Sequence, residues 1–217
     1  MGTECDSPEA EAWAFCDGFE SPDLDAWMRR NEGGPRGEAL VEYQTDNVYR
    51  GKGALRVRVS GGARAASVYA EVFSSTVAEV WVRGQFYIAN VVDDVELIGM
   101  GDVDYQRTVV YTADDDKSDV HTHNLVPSDH YGWSPIIYPK DVWFCAVLHT
   151  SQVEAEIFRN ELRIDRVDFP VPIDLGYARL DVGFVSWRHG PRETETREVL
   201  VDEVAVSTTE LTCDGRY

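Results

Sequence analysis

The sequence predicts an all-β chain folded as an antiparallel sandwich or barrel, and three observations support this. Helical periodicity is nearly absent, short segments alternate apolar and polar residues with a period of two, and glycine and proline punctuate the intervals. With 217 residues and 43% hydrophobic content, one substantial core is expected. Residues 1–14 read as an N-terminal extension and 15–217 as a single domain.

Taken in order, SPDLDAWMRR (21–30) reads as a short helix, with Ser21 as cap, Pro22 in the first turn and Asp23 and Asp25 near the N-terminus. ALRVRVS (54–60) sets Leu55, Val57 and Val59 against Arg56 and Arg58, the pattern of a half-buried strand. Segments 79–89, 94–100, 107–112, 142–150, 153–158, 178–187 and 197–207 read likewise. In ARLDVGFVSW, Leu180, Val182 and Phe184 fall on one face and Arg179, Asp181, Val185 and Trp187 on the other. TADDDKSDVHTHN (112–124) is expected as a solvated connection at the rim. Its aspartates Asp114–Asp116 and Asp119 offer calcium ligands as one alternative, and His121 and His123 offer a transition-metal pair as another. The stretch 123–140 lacks alternation and is the loop most expected to carry function.

Charge narrows the partners. Twenty basic against 39 acidic residues give a net charge of −19, which repels nucleic acid and anionic lipid at long range. No apolar run reaches the roughly 18 residues needed to cross a bilayer, so no membrane span is expected. The start MGTECDSPEAEAWA has no charged-then-apolar leader and reads like a mature sequence from which a leader was removed. The four cysteines, Cys5, Cys16, Cys145 and Cys213, form no C-x-x-C pair. Their spacing favours disulfides in an oxidising compartment, with three pairings open and buried thiols as the alternative. A secreted, cell-surface or periplasmic location is expected.

Three segments, in order, resemble the concanavalin A-like jelly roll of laminin-G-type domains, lectins and polysaccharide-degrading enzymes: FCDGFESPDLDAW (15–27) with GKGALRVRVSG (51–61), VWFCAVLHTSQVEAEIFRNELR (142–163) and LVDEVAVSTTEL (200–211). The first is similar to the opening of bacterial carbohydrate-active jelly rolls. The resemblance implies a two-sheet sandwich with first and last strands adjacent, which would allow a Cys16–Cys213 bridge. It further implies a structural calcium held by Asp202, the backbone at Gly51 or Gly53, and Glu20.

Enzyme signatures are incomplete. The opening and EVWVRGQFYIA also resemble heparin-lyase-like jelly rolls, but Met100-Gly101-Asp102 stands where that family carries a Gln-x-His pair. Glu193, Glu195 and Glu198 lack the spacing and central aspartate of laminarinase-type glycosidases. No catalytic residue is assigned. The sequence therefore points to a non-catalytic carbohydrate-binding domain with Tyr105, Arg107, Tyr111, His121, His123, Trp133, Arg179 and Trp187 as candidate ligand contacts. A polysaccharide lyase or glycoside hydrolase with an atypical site is the first alternative, and a structural or adhesive protein-binding domain the second.

Overall fold

The computed structural model describes residues 3–33, 37–61, 63, 65–75, 77–89, 95–104, 106–113, 118–123, 130–131, 134–135, 138–173, 176–185 and 196–213, with residues 119, 123, 130, 131, 184 and 185 described by backbone alone. Two short 3-10 turns, Glu4–Asp6 and Pro8–Ala12, precede the strands. These are β1 (Phe15–Asp17), β2 (Met28–Glu32), β3 (Ala39–Gln44), β4 (Ala54–Ser60), β5 (Ala65–Glu71), β6 (Glu79–Ile88), β7 (Val95–Gly101) and β8 (Thr108–Ala113). They continue as β9 (Ser118–His123), β10 (His130–Tyr131), β11 (Trp143–Ser151), β12 (Glu154–Arg159), β13 (Leu162–Asp168), β14 (Arg179–Val185) and β15 (Thr196–Ser207).

The predicted antiparallel two-sheet sandwich is present. An eight-stranded sheet runs β13-β12-β11-β6-β15-β4-β3, with β1 paired to β15 beyond the end of β4, and a seven-stranded sheet runs β10-β9-β8-β7-β14-β5-β2. First and last strands are neighbours as expected: Phe15, Cys16 and Asp17 lie opposite Val206, Ala205 and Val204.

Strand periodicity builds the core. Val57, Val82, Phe86, Leu148, Val199 and Val201 from the larger sheet face Val68, Ile98, Met100, Val109, Leu180 and Val182 from the smaller one, all of them buried. Each such side chain removed from water contributes roughly 1.5–3 kcal/mol, so this interior is the main source of stability. Gly183 lies at a register shift between Val182 and Val185 and has a φ of +65°. A Cβ there would sit 3.0 Å from Val57 Cγ2 and 3.3 Å from Val201 Cγ2, so the two sheets approach closely over a residue without a side chain. The shift also ends the simple alternation expected through Phe184.

Two local expectations are corrected. The 21–30 segment is not helical. Leu24 takes a positive φ of 49°, Trp27 N–H donates to Leu24 O, and Met28 begins a strand against β5. Burial of Trp27 between Phe15 and Phe19 overrides the local helix signals. Likewise 118–123 is no loop but a strand paired on both sides, to β8 and β10. Residues 114–117, and with them the aspartates Asp114, Asp115 and Asp116, lie outside the described residues.

The disulfides are Cys5–Cys16 and Cys145–Cys213, not Cys16–Cys213. Cys16 faces outward from β1, where the chain around Cys5 folds back over the sheet. Past Ser207 the C-terminal segment crosses to β11 and brings Cys213 to Cys145. Glu4 joins this arrangement: it is 3% exposed, pairs with Arg83 and with Arg50, and donates its N–H to Glu203 Oε2 at 2.9 Å. Arg83 in turn donates to Thr212 O at 2.8 Å and packs on the Trp13 ring. Both terminal segments are thereby fastened across the outer face of the eight-stranded sheet. No helix of the described residues is long and apolar enough to cross a membrane.

Candidate functional site

The outer face of the seven-stranded sheet carries two transverse rows of directly paired residues. One runs Glu71, Arg179, Gly101, Thr108, His123; the next runs Met28, Tyr69, Asp181, Gly99, Val110, His121, Tyr131. Cross-strand partners share a face, so the central strand β7 offers only Gly99 and Gly101 in the middle of both rows. No side chain projects from β7 there, yet Gly99 and Gly101 are buried, as are their row neighbours Thr108, Val110 and Asp181, so the middle of this face is covered while Met28, Tyr69, Glu71 and His121 on the flanks reach solvent.

On the β14–β5 flank, Arg179 packs 3.7 Å over the Tyr69 ring and donates to Asp181 Oδ2 at 2.9 Å. Asp181 is only 4% exposed, and its Oδ1 has no hydrogen-bond partner among the described residues. Burial pushes its carboxyl up to about 6, against the opposing pull of Arg179 and Arg30. Arg30 reaches this flank because it pairs with Ser67 at the β2 edge. On the other flank stands His121. At the end of the Glu71–Arg179 row a cavity of about 420 Å³ opens, lined by Glu71, Phe73, Asp102, Gly176 and Ala178 among others.

Of the residues expected from sequence, Arg179, His121 and the backbone of His123 are thus brought to one face. Tyr111 is not. Its parity turns it inward, where it is fully buried in the core and its hydroxyl pKa is pushed up by burial, against Arg159 and Ser118. Arg107 precedes β8 in a tight turn in which Asp102 Oδ1 accepts the amides of Gln106 and Arg107. Its charge bears on Tyr177, whose hydroxyl is held up to about 12 by burial, opposed by Thr150 and then by Arg107. Tyr105, Trp133 and Trp187 lie outside the described residues. Tyr69, Asp181 and the glycine pair were missing from the expected contact set. The alternation Gly99-Met100-Gly101 was the available signal, since in a strand it bares one face at two successive positions.

The expected metal residues gather around a single loop. Asp202, fully buried, accepts the amides of Tyr49 and Arg50 on Oδ2, both at 3.0 Å, and that of Glu203 on Oδ1 at 2.8 Å. Glu20 Oε1 accepts the Lys52 amide at 2.7 Å, passing so close to Gly51 that a Cβ there would collide with it. Gly53 is packed on the Tyr43 ring. Calcium needs six to eight oxygen ligands, whereas this loop turns N–H groups toward both carboxylates. Burial, together with the neighbouring Glu203 charge and against the Arg50 amide, pushes Asp202 up to about 7; Glu203 also rises to about 7, chiefly by burial.

No protein-family profile matches the chain, and no curated protein matches it. Solved structures do. The cellulose-induced protein Cip1 is 15% identical with a TM-score of 0.71, covering 92% of this chain and 99% of that one. A sialidase is 12% identical with a TM-score of 0.61 over 91% of this chain, but only 19% of its own. Botulinum neurotoxin type C, whose cell entry is described as dependent on interaction with two ganglioside molecules, is 10% identical with a TM-score of 0.58. That match covers 85% of this chain and 44% of the matched chain. At these identities the likeness shows one thing, the fold: a two-sheet antiparallel β-sandwich shared with proteins of different activities.

Proposed function

We propose that this chain is an extracytoplasmic, concanavalin A-like carbohydrate-binding domain without catalysis, and that it binds glycan across the outer face of the seven-stranded sheet. The observation that carries this reading is the pair of rows interrupted at Gly99 and Gly101. A pyranose needs a place where its ring can approach the sheet closely, an aromatic ring beside it, and fixed polar groups to take its hydroxyls. Here β7 contributes no side chain at Gly99 and Gly101, and half-buried Tyr69 beside them supplies an aromatic ring whose other face is packed by Arg179. Arg179 and the buried Asp181 supply a donor and an acceptor whose positions are set by each other. Two disulfides favour an oxidising location. The ganglioside interaction described for a fold neighbour agrees with this reading by analogy.

The glycines also favour binding over elimination chemistry. At both central positions of β7 there is no side chain to move a proton, in keeping with the missing Gln-x-His pair.

A glycan array followed by titration calorimetry tests the proposal. Tyr69→Ala and Arg179→Gln are expected to weaken binding at least about tenfold, or ~1.4 kcal/mol each, while the fold survives. Absence of any binding glycan, or full affinity in both variants, refutes it. Release of unsaturated sugar from a polysaccharide panel would instead establish the lyase alternative.

A further inference from the structure

The outer face of the eight-stranded sheet carries a second constellation, independent of the glycan reading. His149 on β11 lies directly opposite Glu156 on β12, and Glu154 stands two residues along the same face. One ligand atom from each of these three side chains falls within 4.8 Å of the others. All are sheltered, with side-chain exposures of 7%, 11% and 21% for His149, Glu156 and Glu154.

We infer that His149, Glu154 and Glu156 form a binding site for a transition-metal dication of the zinc class. One imidazole nitrogen and two carboxylate oxygens are ligands that zinc accepts, and three protein ligands leave a fourth position open to water or a ligand atom.

The surroundings are those of a metal-binding histidine. Nδ1 faces Glu156 Oε2 at 3.4 Å, while Nε2 lies 3.1 Å from Glu79 Oε1. A carboxylate behind Nε2 is the outer partner that metal-bound imidazoles commonly have, and with Nε2–H donated to it Nδ1 would be available to an ion. The ring plane is fixed as well, by Trp81 stacked at 4.0 Å and 16°, whose indole N–H donates to the same Glu79. On Glu156 both arginines approach Oε1, Arg166 at 3.6 Å, and leave Oε2 to the histidine side. Arg163 takes Glu156 Oε1 at 3.0 Å and Arg166 takes Glu154 Oε2 at 2.5 Å. With Asp168, which also pairs with Arg166, the patch holds four carboxylates against two guanidiniums, and a dication balances that excess.

The experiment is titration of the full chain with zinc chloride by calorimetry, and with cobalt(II) by visible absorption. One equivalent is expected to bind and to raise the melting midpoint, with cobalt giving the intense bands of a four-coordinate site. His149→Gln should abolish both signals. Glu154→Gln, at a partly exposed position where folding is not at stake, should weaken binding, and Glu79→Gln should cost about tenfold through loss of the orienting carboxylate. A His121→Gln/His123→Gln variant should bind as the wild type does. No binding by the wild type, equal binding by His149→Gln, or loss in the His121/His123 variant would each overturn the inference.

Discussion

Glu203 is the residue whose charge costs this fold most visibly, and replacing it with glutamine gives a quantitative test. It sits at the register shift in β15 with a positive φ of 50°, is 1% exposed, and receives the Glu4 amide on Oε2 while Oε1 has no hydrogen-bond partner among the described residues. Burial raises its pKa from 4.5 to about 7, the Glu4 charge adds to the rise, and the Glu4 amide, Arg50 and Arg83 oppose it. At ~1.4 kcal/mol per pH unit that shift sets a ceiling of about 3 kcal/mol. Solvent screening around the partly exposed Arg50 brings the expected value to about 1–2 kcal/mol. The sign follows from which state holds the proton. Between the unfolded value of 4.5 and the folded value of about 7, the native state binds a proton that the unfolded chain has released. Stability therefore falls as pH rises through this window and is flat beyond it. Asp202, raised to about 7, and Asp181, raised to about 6, act in the same direction. Denaturant unfolding across this range should show the wild type more stable at the acidic end. Glu203→Gln should be more stable than the wild type on the alkaline side and show a shallower slope. A variant less stable than the wild type at alkaline pH, or an unchanged slope, would refute the reasoning.

Gly183→Ala forces a side chain onto a φ of +65° and within 3.0 Å of Val57, and should cost about 2 kcal/mol in denaturant unfolding; a neutral outcome would show that the sheets are not in such close contact. Replacing Cys145 and Cys213 with serine opens a link across 68 residues and should lower stability by about 3–4 kcal/mol, read as a fall in the denaturation midpoint. Calcium and chelator should leave the melting midpoint where it is, because amides already hold Asp202 and Glu20; a calcium-dependent rise would show that the 49–52 loop can turn its carbonyls inward.

Much of the fold was legible because its strands are half-buried and so carry their alternation openly. In 54–60 the core takes Leu55, Val57 and Val59 and leaves Arg56 and Arg58 to pair with Glu42 and Glu38 outside. The pattern fails where a strand is covered on both faces. β8 is buried at every position, so neither Tyr111's inward direction nor Val110's place in the outer row could be read from TVVYTA. It fails again where a strand's outward residues are polar and its inward ones small or hydroxylic. Ser118 and Thr122 are buried in β9, yet the string SDVHTH reads as loop. The disulfides were illegible for another reason. Pairing was set by where the two terminal segments cross the sheet, which depends on the buried Glu4–Arg83 pair, and nothing near Glu4 in sequence announces a partner 79 residues away.

The two outer faces of the sandwich consequently have different roles open to them. Across the larger sheet, the terminal segments, their disulfides and the Glu4, Arg50, Arg83 and Glu203 cluster occupy the middle, where Arg83 is 1% exposed although it points outward. That region is committed to holding the chain ends. The seven-stranded sheet has no such crossing among its described residues, and its central strand presents glycine where the larger sheet presents Arg83 and Gln85. If glycan binds this face as proposed, Gly99→Val should abolish glycan affinity while leaving the opposite face and its His149 cluster unaffected.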